Sequence, residues 1–189
     1  MLYRVSTGIV FCFLKIFFNL EVKGKDKIPR KQPFILASNH MSNLDPPTLA
    51  ASCPAKIGFV AKEELFKNRF FSFYLKDVGA IPLKRQKVDI KIMRTFFNTL
   101  KSKALLIFPQ GTRSADFAAV NSGVGFLSKR SGVPVIAPRI YGTDKVLPKG
   151  ASSFHKGKIK VIFDKVDNIR DSDTYEEITR KVVDKIKSL

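Results

Sequence analysis

Residues 34–47 read FILASNHMSNLDPP, and this stretch decides the fold that we expect for the chain. The apolar run 34–38 predicts a buried strand. Asp45 and the prolines after it predict the start of a helix, with Asp45 as N-cap and Pro46 at the first helical position. A strand that turns into a helix is typical of α/β sheets, in which ligands and chemistry gather at the carboxyl ends of strands. His40 follows such a strand end.

The turn between this strand and helix would bring the carboxylate of Asp45 onto the imidazole of His40. The Asp would then fix the tautomer and stabilise the charged ring while the other ring nitrogen takes a proton. The same residues also fit a structural role, in which Asp45 caps the helix and His40 satisfies backbone groups of the turn. The spacing alone does not choose between these roles.

The composition indicates a basic, globular chain. Its 189 residues are enough for one domain with a core, and a hydrophobic content of 44% excludes general disorder. Lys and Arg number 34 against 16 acidic residues, and the resulting charge of +18 attracts nucleic acid, anionic lipid, phosphates or acidic carrier proteins. Cys12 and Cys53 have no metal or redox spacing, which predicts free thiols in a reducing compartment.

The apolar N-terminus predicts a helix over residues 5–20, about 24 Å long and shorter than the roughly 30 Å hydrocarbon core of a bilayer. The residues after it do not form a signal-peptide cleavage site. We therefore predict an interfacial membrane helix over 1–20, with Arg4, Lys15 and later lysines on anionic headgroups, attached to a domain over 21–189. The alternative is a helix packed on the protein's own core.

The remaining pattern predicts one α/β domain with a mixed, mostly parallel sheet flanked by helices. Prolines in the segments 79–85 and 133–140 predict that each is an edge strand or carries a bulge. Strands are predicted over 57–61, 104–108, 133–140 and 158–164, with a further short strand after a turn at Gly79. Helices are predicted over 46–52, 89–101, 121–130 and 174–186.

Two further stretches offer groups that suit an anion. Residues 79–85, GAIPLKR, end in Lys84 and Arg85, which fit either a solvated surface pair or a phosphate grip. Residues 109–114, PQGTRS, follow an apolar strand and offer backbone N–H groups, a hydroxyl and a guanidinium, which suits a phosphate or oxyanion. The alternative there is an ordinary turn, and no Walker sequence occurs in the chain.

Together these stretches resemble the glycerolipid acyltransferases, the 1-acyl-glycerol-3-phosphate (lysophosphatidic acid) acyltransferases in particular. That family shows Asn-His-x4-Asp, Gly-x-Ile-x3-Arg, Phe-Pro-Glu-Gly-Thr-Arg-Ser and a strand with Val-Pro. The chain has NH and D at 39–45, GAIPLKR at 79–85, FPQGTRS at 108–114 and VPVIAP at 133–138, in the same order and at matching spacing.

The resemblance implies a role for each matching residue. His40 would be the general base and Asp45 its orienting partner. The residues that would bind the phosphate of the acceptor are Arg85, Gly111, Thr112 and Arg113. Those that would shape the acyl-donor region are Val133, Pro134 and Pro138.

Gln110 is the departure from the family, which has Glu at this position. Gln keeps the shape and can accept a hydrogen bond but carries no charge. If the family's Glu orients the acceptor or the loop, Gln110 serves as well. If its charge is needed, activity or acceptor identity changes.

The reaction that the resemblance implies is transfer of a fatty acyl chain from acyl-CoA or acyl-carrier protein to the sn-2 hydroxyl of lysophosphatidic acid, giving phosphatidic acid for phospholipid biosynthesis. A positioned His that acts as a general base accelerates such a reaction roughly 10²–10⁴-fold. No cofactor or metal is expected, and the chain has no Gly-x-Ser-x-Gly elbow. The expected location is the cytoplasmic face of the membrane, on an anionic surface.

Three other functions fit parts of the sequence. The acceptor could be another lysolipid, or the chain could be a basic module that binds membrane or nucleic acid without catalysis. Nucleic acid is not expected as a partner, because the Phe residues lie inside apolar runs rather than between cations. A metal hydrolase fits poorly, because two His and scattered carboxylates form no recognisable ligand set.

Overall fold

The computed structural model describes residues 2–83, 90–114, 116–117, 120 and 122–189. Within this part of the chain, two 3₁₀ turns accompany seven strands and seven α-helices. The strands are β1 Glu21–Lys23, β2 Ile35–Ala37, β3 Ile57–Lys62, β4 Ala80–Leu83, β5 Ala104–Ile107, β6 Val135–Tyr141 and β7 Lys160–Lys165. The helices are α1 Leu2–Phe18, α2 Asp45–Ser52, α3 Arg69–Asp77, α4 Ile90–Thr99, α5 Gly123–Ser131, α6 Thr143–Val146 and α7 Tyr175–Ser188. The 3₁₀ turns are Lys25–Lys27 and Glu63–Phe66.

The strands form one sheet in the order β1-β7-β6-β2-β5-β3-β4. Neighbouring strands run parallel except β6 and β7, which run antiparallel. The predicted α/β fold with a mixed, mostly parallel sheet is confirmed. β2 lies at the centre of the sheet, where both of its faces are covered, and its three residues are accordingly apolar and buried.

Alternate residues of the central strands face two separate cores. Leu36 and Leu106 face the core that α1 and α2 cover. Ile35 and Leu105 face the core that α4, α5 and α7 cover. The two-residue period of a strand produces this alternation, and it places α1 and α7 on opposite faces of the sheet.

The two proline-containing strands occupy different positions. β4, with Pro82, is an edge strand as predicted. The prediction of an edge or bulge for 133–140 is wrong in position, because β6 lies between β7 and β2. β6 pairs with β2 only at Val135 and Ile136, so Pro138 lies beyond the end of that ladder and its missing N–H costs no bond to β2.

α1 begins and ends slightly earlier than predicted. Leu14 and Phe18 are buried in the core next to α2, so the helix does pack on the protein. Its outer face is nevertheless apolar, with Val5, Ile9 and Ile16 exposed at 53%, 65% and 75%. Among the helices of the described residues, none has the length and apolarity needed to cross a bilayer. The interfacial role and the division at residue 20 stay predictions.

The last helix begins where the sequence predicted. Thr174 is the N-cap of α7, and it forms a capping box with Glu177. The predicted stop of α5 at Gly132 is also present, with Gly132 in the left-handed conformation at φ 67°. β1 and α6 were not predicted, because three and four residues are too short to show a period.

Candidate active site

His40 and Asp45 meet at the carboxyl edge of the sheet. His40 follows the central strand β2. Asp45 is the first residue of α2 and Leu44 is its N-cap, so the prediction of Asp45 as N-cap and Pro46 as the first helical residue is wrong by one position. Nδ1 of His40 donates to Oδ2 of Asp45 over 2.8 Å, and the side chains are 18% and 0% exposed. The sequence therefore correctly predicted that the turn brings this carboxylate onto the imidazole.

The Asp45 carboxylate also holds the turn itself. Its Oδ2 accepts the backbone N–H groups of Met41 at 2.6 Å and Ser42 at 2.8 Å. The carboxylate thus points back at the turn rather than forward at the helix. The helix-cap alternative for Asp45 is wrong, because the N-cap is Leu44 and the Asp45 side chain accepts from the turn before the helix. The orienting role of Asp45 stays a prediction.

The geometry defines how His40 can act. Because Nδ1 carries the proton that is donated to Asp45, the neutral ring keeps its lone pair on Nε2. Nε2 has no hydrogen-bond partner among the described residues. A partly exposed imidazole with a free Nε2 and a buried carboxylate behind it is suited to remove a proton from a hydroxyl.

Phe108 covers one face of the His40 ring, a contact that sequence reasoning missed. The two rings stack with centroids 4.0 Å apart and planes inclined by 17°. Phe108 directly follows β5, which pairs with β2, so the pairing of Ala37 with Ile107 brings the next residues of both strands together. The position of Phe108 at the start of the third motif was the available signal.

Gln110 joins this loop to His40. It is 6% exposed, and its Oε1 accepts the backbone N–H of His40 at 2.8 Å. Its Nε2 donates to the carbonyl oxygens of Ser114 and, at 3.4 Å, of Asp116. The N–H of Ser114 donates in turn to the carbonyl of His40 at 3.0 Å. Both backbone groups of His40 are therefore bound to the segment 110–114.

Three residues predicted to bind a phosphate, Gly111, Thr112 and Arg113, directly follow Gln110 in the chain. Gly111 has a φ of 66°, which favours glycine, and its own N–H closes the turn by donating to the Phe108 carbonyl at 2.9 Å. That N–H is therefore already engaged. Thr112 is exposed and Arg113 half-buried, and in the described part of the chain neither side chain forms a hydrogen bond or ion pair. Arg85 lies outside the described residues.

The three residues predicted for the acyl-donor region are not gathered at one place. Val133 and Pro134 precede β6 at the amino edge of the sheet, whereas His40 lies at the carboxyl edge. Pro138 is buried inside β6. Their role stays a prediction.

Asn39, which entered the sequence analysis only as a motif residue, braces the site. Its side-chain amide donates to the carbonyl of Ile140 at 2.9 Å and accepts the N–H of Ile140 at 2.8 Å. It therefore continues the β2–β6 ladder past Pro138 with a side chain in place of a backbone peptide. Ser42 adds a second brace, since its hydroxyl donates to the Leu147 carbonyl at 2.7 Å.

Comparison with known proteins identifies the family of this fold and site. A family profile described as Acyltransferase matches residues 19–141. The 1-acyl-sn-glycerol-3-phosphate acyltransferase of Bacillus subtilis is 26% identical over 163 residues, which are 85% of this chain and 80% of that protein. The enzyme of the same name from Streptococcus pneumoniae is 31% identical over 72% of this chain. The match covers about half, 53%, of the length of that relative.

A solved structure agrees with these relatives. The crystal structure of the 1-acyl-sn-glycerophosphate (LPA) acyltransferase PlsC from Thermotoga maritima has a TM-score of 0.81 and 27% sequence identity. The match covers 98% of this chain and 76% of that one. The motif resemblance is thereby confirmed, and the chain belongs to the acyltransferase family.

Proposed function

We propose that this acyltransferase moves a fatty acyl chain from an acyl thioester to the free sn-2 hydroxyl of lysophosphatidic acid, forming phosphatidic acid for phospholipid biosynthesis. The relatives and the solved structure bear names for this activity. The observation that carries the proposal is the 2.8 Å contact of His40 Nδ1 with the buried Asp45, which leaves Nε2 free for a proton.

In the proposed reaction His40 acts as general base. Its Nε2 takes the proton of the acceptor hydroxyl while the hydroxyl oxygen bonds to the carbonyl carbon of the thioester. Collapse of the tetrahedral intermediate breaks the C–S bond, and the imidazolium returns the proton to the departing thiolate. The imidazolium is stabilised by Asp45. No covalent bond to the enzyme is needed, because the thioester is already activated.

The acceptor's phosphate would bind near the loop after β5. Thr112 and Arg113 offer a hydroxyl and a guanidinium that no described residue occupies, and a guanidinium suits bidentate binding of phosphate. Arg85 and Gly111 are proposed beside them on the motif match. Gln110 orients the loop, and Val133, Pro134 and Pro138 are proposed for the donor region.

The protein is further proposed to lie on the cytoplasmic face of a membrane without crossing it. Two observations support this location, the exposed apolar stripe of α1 and the net charge of +18. The donor would be acyl-CoA or acyl-carrier protein, both of which are anionic and would be attracted by the same charge.

The test is acyl transfer by the purified protein in detergent, with lysophosphatidic acid and each donor in turn. His155→Ala is the matched control for His40→Ala, because it removes the chain's other histidine, which is exposed. Wild type and His155→Ala should form phosphatidic acid at similar rates, and the rate of His40→Ala should be lower by roughly 10²–10⁴-fold. Transfer to another lysolipid but not to lysophosphatidic acid would show that the proposed acceptor is wrong. No transfer by the wild type would favour a membrane-binding module without catalysis.

A further inference from the structure

Four phenylalanines form one cluster between α1 and the loop that precedes β7. The ring of Phe13 lies 5.0 Å from that of Phe17 and 5.6 Å from that of Phe18. Phe154, in the loop, lies 5.7 Å from Phe13 and 5.6 Å from Phe18. Phe18 is 6% exposed, whereas Phe17 and Phe154 are 65% and 50% exposed. The inner rings thus hold two outer rings at the surface.

The cluster lies at the same edge of the sheet as His40. β7 runs antiparallel to β6, so the segment leading into β7 lies at the carboxyl edge of β6. The N–H of Ile159 in this segment donates to the carbonyl of Phe18 at 3.0 Å. The amino end of α1 lies at the other edge, where the hydroxyl of Tyr3 accepts the N–H of Ile57.

The loop that carries Phe154, residues 147–158, is bonded to the catalytic turn. The carbonyl of Leu147 accepts the hydroxyl of Ser42, which lies between His40 and Asp45, at 2.7 Å. The N–H of His155 donates to the carbonyl of Val146 at 2.8 Å, which closes the loop at its base. We call these residues the Phe154 loop.

Cations outnumber acidic side chains on this surface, where the exposed Glu21, whose N–H donates to the carbonyl of Ile159, forms an ion pair with Lys23. The Phe154 loop contains Lys149, Lys156 and Lys158, all exposed, and residues 147–163 include no Asp or Glu. Residues 1–20 also include no Asp or Glu. An exposed aromatic ring flanked by lysines, beside an apolar helix face, complements the headgroup region of an anionic bilayer.

We propose that the Phe154 loop is a second membrane-contacting element, which inserts Phe154 beside α1 and holds the His40 edge of the sheet against an anionic bilayer. The inference rests on the proposed membrane attachment and adds an orientation to it. With α1 alone, the protein could rotate about the helix axis. Two membrane contacts that pack on each other through Phe154, Phe13 and Phe18 fix which edge of the sheet faces the lipid, and His40 lies at this edge.

A single-tryptophan reporter tests the insertion directly. The chain has no Trp, so Phe154→Trp introduces one fluorophore in place of another aromatic ring. With phosphatidylglycerol vesicles its emission should shift to shorter wavelength, and brominated acyl chains should quench it. Ser172→Trp is the control, because Ser172 is exposed two residues before the N-cap Thr174 of α7, a helix on the other face of the sheet. Its emission should not change.

Charge variants test the lysines. Lys156→Gln/Lys158→Gln should reduce sedimentation with phosphatidylglycerol vesicles roughly tenfold or more, since each lysine near an anionic surface changes binding by a factor of about five. Lys101→Gln/Lys103→Gln removes the same charge from the turn before β5, at the amino edge of the sheet. This control should sediment like the wild type.

The outcomes separate this inference from the proposed function. Phe154→Ala should keep its rate on detergent-dispersed acceptor and lose rate on acceptor embedded in vesicles. Unquenched emission from a Phe154→Trp protein that still sediments and melts like the wild type would overturn the inference and leave the proposed function standing. Failure of the wild type to sediment with anionic vesicles would also overturn it. Absence of transfer on dispersed acceptor would count against the proposed function alone.

Discussion

The side-chain oxygen of Gln110 accepts the backbone N–H of His40 at 2.8 Å, while the side-chain nitrogen of Gln110 donates to a backbone carbonyl. The Nε2 group faces the carbonyl oxygens of Ser114 and Asp116. Both ends of the amide are therefore used, one to hold the backbone of His40 and the other to hold the loop after β5. This arrangement explains how Gln can stand where the family has Glu: the amide acts on the loop without a charge.

Gln110→Glu is consequently expected to lower activity rather than restore it. A carboxylate keeps the acceptor for His40 but has no donor for the two carbonyls, so it would repel them in a buried place. Loss of a buried donor costs about 1–3 kcal/mol, and we expect both a lower melting temperature and at least a tenfold lower kcat. Thermal melting and the transfer assay measure the two effects. A Gln110→Glu protein more active than the wild type would show that the family's charge outweighs the donor.

Asp45→Asn tests the pair at the centre of the site. The amide oxygen can still accept the N–H groups of the turn, but the negative charge that stabilises the imidazolium is lost. We expect kcat to fall on the order of 10²-fold or more, with a smaller change in KM. Asp26→Asn, at a side chain 76% exposed, is the control and should behave as the wild type. Equal kcat in Asp45→Asn would mean that Asp45 only holds the turn.

Phe108 is expected to position the His40 ring. Phe108→Leu keeps an apolar side chain but removes the flat surface on which the imidazole stacks, and aromatic pairs of this kind contribute about 0.5–1.5 kcal/mol. We expect kcat to fall up to about tenfold, and Phe108→Tyr to keep it. Phe97→Leu, which breaks a ring contact in the opposite core, should lower the melting temperature and leave kcat unchanged. Equal loss of kcat in Phe97→Leu and Phe108→Leu would indicate general destabilisation.

The stability of the C-terminal helix should depend on pH through Asp173. The ammonium of Lys181, at 2.6 Å, and the N–H of Arg170, at 2.7 Å, hold the pKa of this carboxyl below its ordinary value. A pKa that is lowered in the folded state stabilises the protein above the unfolded-state pKa, and the contribution disappears as pH falls through the folded-state pKa.

Asp173→Asn should therefore melt at a lower temperature than the wild type near neutral pH, and the difference should close in acid below the ordinary aspartate pKa of about 3.9. Asp171→Asn, two residues earlier and exposed, is the control and should show no such closing difference. Melting curves across the acid range measure the effect. A difference in melting temperature that persists in strong acid would show that Asp173→Asn destabilises the protein through altered packing and not through the lost charge.

Much of the fold is legible in local patterns. The strands at 35–37 and 104–107 are continuous apolar runs, the helix at 175–188 shows a helical period, and all three were predicted within a few residues. The strand with Pro138 was placed wrongly, because whether the proline costs a hydrogen bond inside the sheet depends on where β2 ends. The sequence around Pro138 does not encode the length of β2.

The same division applies to the site. By itself, the sequence determined that His40 follows a strand and that Asp45 opens a helix five residues later, because strand, turn and helix start are local, and its four motifs determined the family. Only the tertiary structure decided that Gln110 bonds His40, that Phe108 stacks on it and that Asn39 bonds Ile140. The two hydrogen-bonded pairs are separated by 70 and 101 positions along the chain. All these partners meet because β2 lies between β5 and β6, an order that sheet pairing sets and no local pattern encodes.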